Sequence, residues 1–443
     1  MYIENNRYLL DGGLDPLELA KKYDCPVYIY ETATMKRQYD RLVNAFDLKK
    51  LKINYACKAL NNISVLKFFK SIGAGLDTVS IQEVRVGLMA GFRPEDIIYT
   101  PNCVSIEELS QAVEMGVKIN VDNLSILEQF GSLYPDYPVC IRINPHIMAG
   151  GNSKISVGHI DSKFGISFHQ TPHIHRIVKT HNMLVEGIHM HTGSDIMDID
   201  VFLQGAEILL SVAKDFKDLQ YVDFGSGFKV PYKEEDIETD IEELGEKIGN
   251  RFKQFCYEYG RNLTLMFEPG KFLVSESGIF LVRVNVVKQT TSTVFAGVDS
   301  GLNHLIRPML YDSYHKIVNI SKTEGRTRVY NVVGYICETD TFGVNRKMTE
   351  INEGDILAFY NAGAYCFTMS SNYNSRYRPA EVLIHEGKDY LIRERETMED
   401  ILKNQINVDI FGEPKALQAP AMDDLRVKEN EYSEITIEKE NKK

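Results

Sequence analysis

The sequence predicts an α/β chain: a (β/α)8 TIM-like barrel followed by a mostly antiparallel β-domain of Greek-key or β-barrel type. Three features of the chain support this expectation. Between about residues 50 and 270, short runs rich in β-branched and aromatic residues alternate with longer segments of helical period. The first five runs recur about every twenty residues, roughly one compact βα unit. After about residue 280 the texture changes to repeated strand-like runs broken by turn residues.

In order, the barrel strands are expected at Ile53–Cys57, Leu76–Val79, Ile97–Thr100, Lys118–Val121, Val139–Ile143, Val185–His189, Tyr221–Phe224 and Thr264–Phe267. Helical periods lie between them at Ile63–Ser71, Ile81–Met89, Ser105–Met115, Leu124–Tyr134 and Phe202–Phe216. An open doubly wound sheet would want a glycine-rich turn after its first strand, and that position holds Lys58. Active residues of such barrels gather at the C-terminal strand ends. Lys58, Asp77, Arg142, His191, Gly225 and Glu268 all fall at or just beyond a proposed strand end. The segment from Pro145 to Gly165 is rich in Gly, Ser and Asn and reads as a loop, a candidate lid at the active end.

The second domain is expected to use Gly278–Gln289, Val294–Val298, Arg328–Val333, Ile356–Tyr360 and Glu381–His385. Tyr8–Leu10 and Val27–Tyr30 are assigned to it, or to a bridge toward the barrel. The expected organisation is residues 1–30 joining the β-domain, 31–280 forming the barrel, 281–415 forming the β-domain, and 416–443 as a disordered charged tail.

The 443 residues, 44% of them hydrophobic, are enough for two sizeable cores. A net charge of −12 argues against a nucleic-acid surface. Seven scattered cysteines with no CxxC pair fit reduced thiols in the cytoplasm. No apolar stretch approaches the roughly 20 residues of a membrane span. His169, His173, His175 and His181 lack tight ligand spacing and lie in a helical segment, so no metal site is expected.

Several motifs fit one cofactor. Lys58, after Asn54-Tyr55-Ala56-Cys57, is a strand-end lysine that can bond an aldehyde cofactor; taken alone it reads as an exposed lysine. A barrel mouth with a second cation nearby would depress its pKa. His189 and His191 share one side of their strand, as ring partners or as core histidines. Gly225-Ser226-Gly227 follows the seventh strand, where barrels often hold phosphate; a plain turn is the simpler reading. Glu268-Pro269-Gly270-Lys271 ends the eighth strand with a carboxylate suited to a pyridinium nitrogen. Cys337, in Tyr335-Ile336-Cys337-Glu338, is a thiol acid or a small buried hydrophobe.

Together these motifs resemble the fold type III pyridoxal 5'-phosphate (PLP)-dependent decarboxylases, most closely their diaminopimelate branch, over about residues 25 to 390. The stretch Asn144–Gly165 is especially characteristic. The resemblance implies that Lys58 anchors PLP, that His191 stacks on its ring and that Ser194 contacts its phosphate. Asp77, Gly225, Ser226, Gly227, Glu268, Pro269, Gly270, Lys271 and Tyr365 complete the cofactor site. Ser226 and Lys271 stand where the family usually has glycine and arginine. Arg307 and Tyr311 would bind a distal carboxylate, with Lys271 and Tyr365 also facing the substrate. Cys337 would enter from the neighbouring subunit of a homodimer as proton donor, and Glu338 would bind the distal ammonium. The implied reaction converts meso-2,6-diaminopimelate to L-lysine and CO2, the last step of lysine biosynthesis. The rival readings are a same-fold decarboxylase of carboxynorspermidine, ornithine or arginine, and a non-catalytic regulator that has kept the fold.

Overall fold

Eight parallel strands close into a barrel in the computed structural model of the chain, which describes residues 1–147, 162–408 and 410. Strand β1 (Val27–Glu31) precedes the barrel. The staves are β2 (Leu51–Ala56), β3 (Gly75–Thr78), β4 (Ile97–Tyr99), β5 (Lys118–Val121), β6 (Val139–Asn144), β7 (Val185–His189), β8 (Tyr221–Asp223) and β9 (Thr264–Phe267). They run in sequence order around the barrel, with β9 returning to pair with β2. Every expected stave is present within two residues of its predicted ends, because both faces of such strands are buried and read as apolar runs.

The helices Ile63–Ser71, Ile81–Met89, Ile106–Glu114 and Leu124–Leu133 lie where the periodicity placed them. The fifth expected helix begins three residues earlier, at Ile199, capped by Asp198, whose carboxylate accepts the N–H groups of Asp200 and Val201. The 19-residue helix Ile241–Tyr259 was not anticipated. Its two glycines, Gly245 and Gly249, lower the local helix propensity. In the fold, Gly245 lets the helix meet the chain after helix Thr32–Asn44: a Cβ there would lie 2.1 Å from the Ala45 carbonyl oxygen.

The second sheet comprises β10 (Gly278–Gln289), β11 (Val294–Val298), β12 (Ile317–Asn319), β13 (Thr327–Val333), β14 (Thr341–Thr349), β15 (Ile356–Phe359), β16 (Ala380–His385) and β17 (Lys388–Arg393), with β1 between β10 and β16. Its pairings are antiparallel except β11–β13 and β1–β16. All five β1 residues are buried, so the N-terminal run is a central strand of this sheet. Arg7–Leu9 instead pairs with Tyr2–Glu4 in a separate hairpin.

Residues Met1–Thr397 form one unit that includes both sheets. A buried carboxylate ties them together. Glu381 on β16 accepts from Tyr30 on β1 at 2.8 Å, from Arg393 on β17, and from Asn62 at 3.0 Å. Asn62 also caps the helix that follows Lys58, so the second sheet holds the lysine's turn in place.

The C-terminal unit begins at Met398 with the helix Met398–Leu402. The expected tail at 416–443 and the centre of the expected lid at 145–165 lie outside the described residues. Among the described residues, no helix is long and apolar enough to cross a membrane.

Buried histidines make the fold acid-sensitive. Burial pulls His304 down to about 4, although its Nε2 bonds the Tyr377 carbonyl at 2.9 Å. The unfolded chain takes up this proton near pH 6.5 and the folded chain only near pH 4. Stability from this group is therefore fully present above pH 6.5 and lost as pH falls to about 4. The loss is on the order of 3 kcal/mol. His304→Gln should reduce the slope of stability against pH in that window, read from denaturant titrations. An unchanged slope would assign the acid sensitivity to other groups.

Candidate active site

A cavity of about 670 Å³ opens at the C-terminal ends of the barrel strands. Lys58, Asp77, His191, Ser194, Ser226, Gly227, Glu268, Pro269, Gly270, Lys271, Arg307, Tyr311 and Tyr365 all line it. Gly225 adjoins it, its carbonyl accepting the Glu268 N–H at 2.8 Å. Cys337 and Glu338 do not line it. They are exposed, with the Cys337 thiol 3.3 Å from Glu338 Oε2 and Tyr373 donating to Glu338.

Lys58 sits in the turn Cys57–Ala59 just beyond β2, with 41% of its side chain open. The turn is pinned from three sides. Ala56 N–H bonds the Pro269 carbonyl at 3.2 Å, Tyr365 N–H bonds the Ala59 carbonyl at 2.9 Å, and Tyr55 Oη donates to the Leu60 carbonyl at 2.9 Å. The register pairs Ala56 with Asp77, which places the Asp77 carboxylate under the amine, 2.8 Å from Nζ. Burial opposes the ammonium, but Asp77, Tyr365 and Glu268 outweigh it and raise its pKa above the usual lysine range. The expectation of a depressed amine is thus corrected: the group nearest Nζ is an anion, not a cation.

Parallel register lines up a polar row on the cavity floor. Arg142 on β6 pairs with His189 on β7, and His189 with Asp223 on β8. Glu268, just past β9, meets the row: His189 Nε2 lies 3.0 Å from Glu268 Oε2. Burial drives His189 well below its ordinary pKa, and Arg142 adds to the effect, so the ring is neutral. Burial raises the pKa of Glu268, against the pull of Lys58 and Arg142. His191 faces the same space, its Nδ1 accepting the Ser226 N–H at 3.3 Å.

Gly227 adopts φ +135° with its Cα against the loop after β7; a Cβ there would sit 2.1 Å from the Gly193 carbonyl oxygen. The turns carrying Ser194 and Gly225–Gly227 are therefore packed directly on each other. Lys271 bonds Asp195, and burial lowers its pKa.

On the wall formed by the second sheet's loops, Arg307 is 8% exposed and its Nε has no partner among the described residues. The rings of Tyr232, Tyr311 and Tyr365 lie 5.8, 5.9 and 5.9 Å from its guanidinium carbon.

Sequence reasoning missed Asp223, the His189–Glu268 contact and the Asp195–Lys271 pair. Asp223 carried the available signal, a carboxylate at a barrel strand end. Of the rejected histidines, His173, His175 and His181 lie in the helix Thr171–His181, where His175 pairs with Asp215 at 3.3 Å.

Residues 32–275 match the family described as pyridoxal-dependent decarboxylase, pyridoxal binding domain. The chain is 39% identical to diaminopimelate decarboxylase of Methanothermobacter thermautotrophicus over 91% of its own length and 96% of that protein's. Its fold is similar to that of Helicobacter pylori diaminopimelate decarboxylase complexed with L-lysine, with TM-score 0.81, 31% identity, and coverage of 88% and 98% of the two chains. It is similar also to the M. jannaschii enzyme, with TM-score 0.85, 30% identity, and coverage of 92% and 98%. A strand-end lysine, a buried acid and a glycine turn share one barrel mouth in a chain that matches these enzymes along most of its length; it belongs to the diaminopimelate decarboxylase family of pyridoxal-dependent enzymes.

Proposed function

We propose that this chain removes one carboxylate of meso-2,6-diaminopimelate to give L-lysine and CO2. The observation that carries the choice of substrate is Arg307, a buried guanidinium on the wall of the same cavity as Lys58. A buried guanidinium bordering the cavity favours a substrate with a distal carboxylate. Ornithine and arginine offer none. Tyr311, Tyr365 and Lys271 border the same space.

The residues present fit pyridoxal 5'-phosphate. Lys58 offers a primary amine for the aldehyde. Glu268 lines the cavity and offers a carboxylate to the ring nitrogen. Ser194 offers a hydroxyl for phosphate, and the Gly225-Ser226-Gly227 turn lets the backbone approach it closely. Asp77, His191, Pro269, Gly270, Lys271 and Tyr365 form the remaining walls. When bound, the cofactor supplies an electron sink for the charge left by loss of the carboxylate.

The chain's own groups manage protons and orientation. Lys58 must shed a proton from Nζ before bonding carbon, and Asp77 Oδ2 is the acceptor in reach. Burial raises the pKa of Asp77, which makes it a competent base. Glu268 holds the ring nitrogen's proton in place. Cys337 Sγ supplies the proton that replaces the lost carboxylate, and Glu338 binds the distal ammonium. Both lie outside the cavity of their own chain, so they act in the site of a second copy, in a homodimer of the cytoplasm.

Carbon dioxide release from a panel of meso-diaminopimelate, carboxynorspermidine, ornithine and arginine tests the reading. Diaminopimelate should be turned over fastest by at least tenfold. Faster release from a substrate without a distal carboxylate would sink it. Glu268→Gln should retain bound cofactor and lose roughly 10²-fold or more in kcat. Turnover at the wild-type rate would mean that this carboxylate does not face the ring nitrogen.

A further inference from the structure

A second carboxyl group lies beneath the cavity lining, beside Glu268. Asp223 ends β8 and is 1% exposed. Its Oδ1 accepts the Gly225 N–H at 2.8 Å, while its Oδ2 finds no donor among the described residues. Glu268 Oε1 is equally without one. The two carboxyl groups and His189 bring ligand atoms within 4.8 Å of one another. Two carboxylate anions this close in a buried site repel strongly, whereas one shared proton turns the contact into a charge-assisted hydrogen bond.

The surroundings decide which group holds that proton. Glu268 has the cations: Lys58 and Arg142 both favour its ionised form, and His189 Nε2 is in hydrogen-bond reach. Asp223 receives a single backbone N–H, and burial, then Glu268 and Asp77, raise its pKa well above the usual carboxylate range. His189 is neutral and cannot supply the missing charge.

We propose that Asp223 is a positioning residue, a neutral carboxylic acid whose proton bonds Glu268 and keeps that carboxylate ionised and aimed at the cofactor's ring nitrogen. The inference rests on the reading that Glu268 faces that nitrogen. Asparagine is the isostere of the neutral acid. Its Oδ1 keeps the Gly225 N–H, and its Nδ2 supplies the donor to Glu268. Asp223→Ala removes both contacts.

In the holoenzyme, Asp223→Asn should keep kcat within about threefold of wild type, whereas Asp223→Ala should lower it about ten- to a hundredfold with KM little changed. The infrared difference spectrum of wild type minus Asp223→Asn should contain the C=O stretch of a protonated carboxylic acid. An asparagine variant as slow as the alanine variant would show that Asp223 acts ionised and overturn the proposal. Full activity in Asp223→Ala, absence of the acid stretch, or a stoichiometric metal ion lost on substitution would each overturn it as well. Wild-type turnover in Glu268→Gln would instead overturn the underlying reading, and it is distinguishable because the acid stretch of Asp223 in the wild-type protein would remain.

Discussion

Lys58→Ala is expected to abolish the absorbance band of lysine-bound cofactor and to lower turnover at least about 10³-fold. The effect should be this large because among the described residues the cavity offers one other lysine, Lys271, and Asp195 holds its ammonium. The fold should survive. Lys58 is in a turn rather than the core, and its neighbours are held by backbone bonds to Pro269 and Tyr365 that the substitution leaves intact. Asp77 loses its counter-ion but takes up a proton more readily, because burial already raises its pKa. The decisive measurements are the absorbance spectrum, carbon dioxide release and the thermal unfolding midpoint of the same preparation. Substantial turnover in a folded Lys58→Ala protein would place the cofactor anchor elsewhere.

Cys337→Ala is expected to be the second most damaging change, and its nature is best seen by mixing. Cys337 and Glu338 are exposed next to Tyr373 and Asn374, away from the cavity of their own chain. A site completed across a two-fold axis makes Lys58→Ala and Cys337→Ala homodimers both nearly inactive. Mixed under conditions of subunit exchange, they should regain activity. About half the dimers are then mixed, and each carries one intact site and one doubly defective site, so recovery approaches about a quarter of wild-type sites. No recovery under verified exchange would assign Cys337 to its own chain, or to no role in the reaction.

The barrel and the strand-end residues were legible because both are written in local pattern. Lys58, His191 and Glu268 stand out once the runs before them are read as strands, since a barrel gathers its strand ends at one mouth. Strand β1 was legible as a run, but its seat between β10 and β16 was not, because those strands lie some 250 and 350 residues away and only their pairing fixes it. The helix Ile241–Tyr259 escaped for the opposite reason: its glycines lower local propensity, and close contact with Ala45 overrides that.

The residue types at the strand ends of the site are written in the chain, whereas their charges and partners follow from the closed fold. The Lys58 amine is held protonated, not depressed, because the β2–β3 register sets Asp77 2.8 Å beneath it. His189 is neutral and Asp223 meets Glu268 because barrel closure buries all three in one row. Arg307 comes from the loops of the second sheet, far from the barrel strands in sequence, yet lines the same cavity. Side-chain periodicity is a local property of the backbone, whereas the desolvation and charge proximity that set a pKa depend on which distant segments the closed barrel brings together.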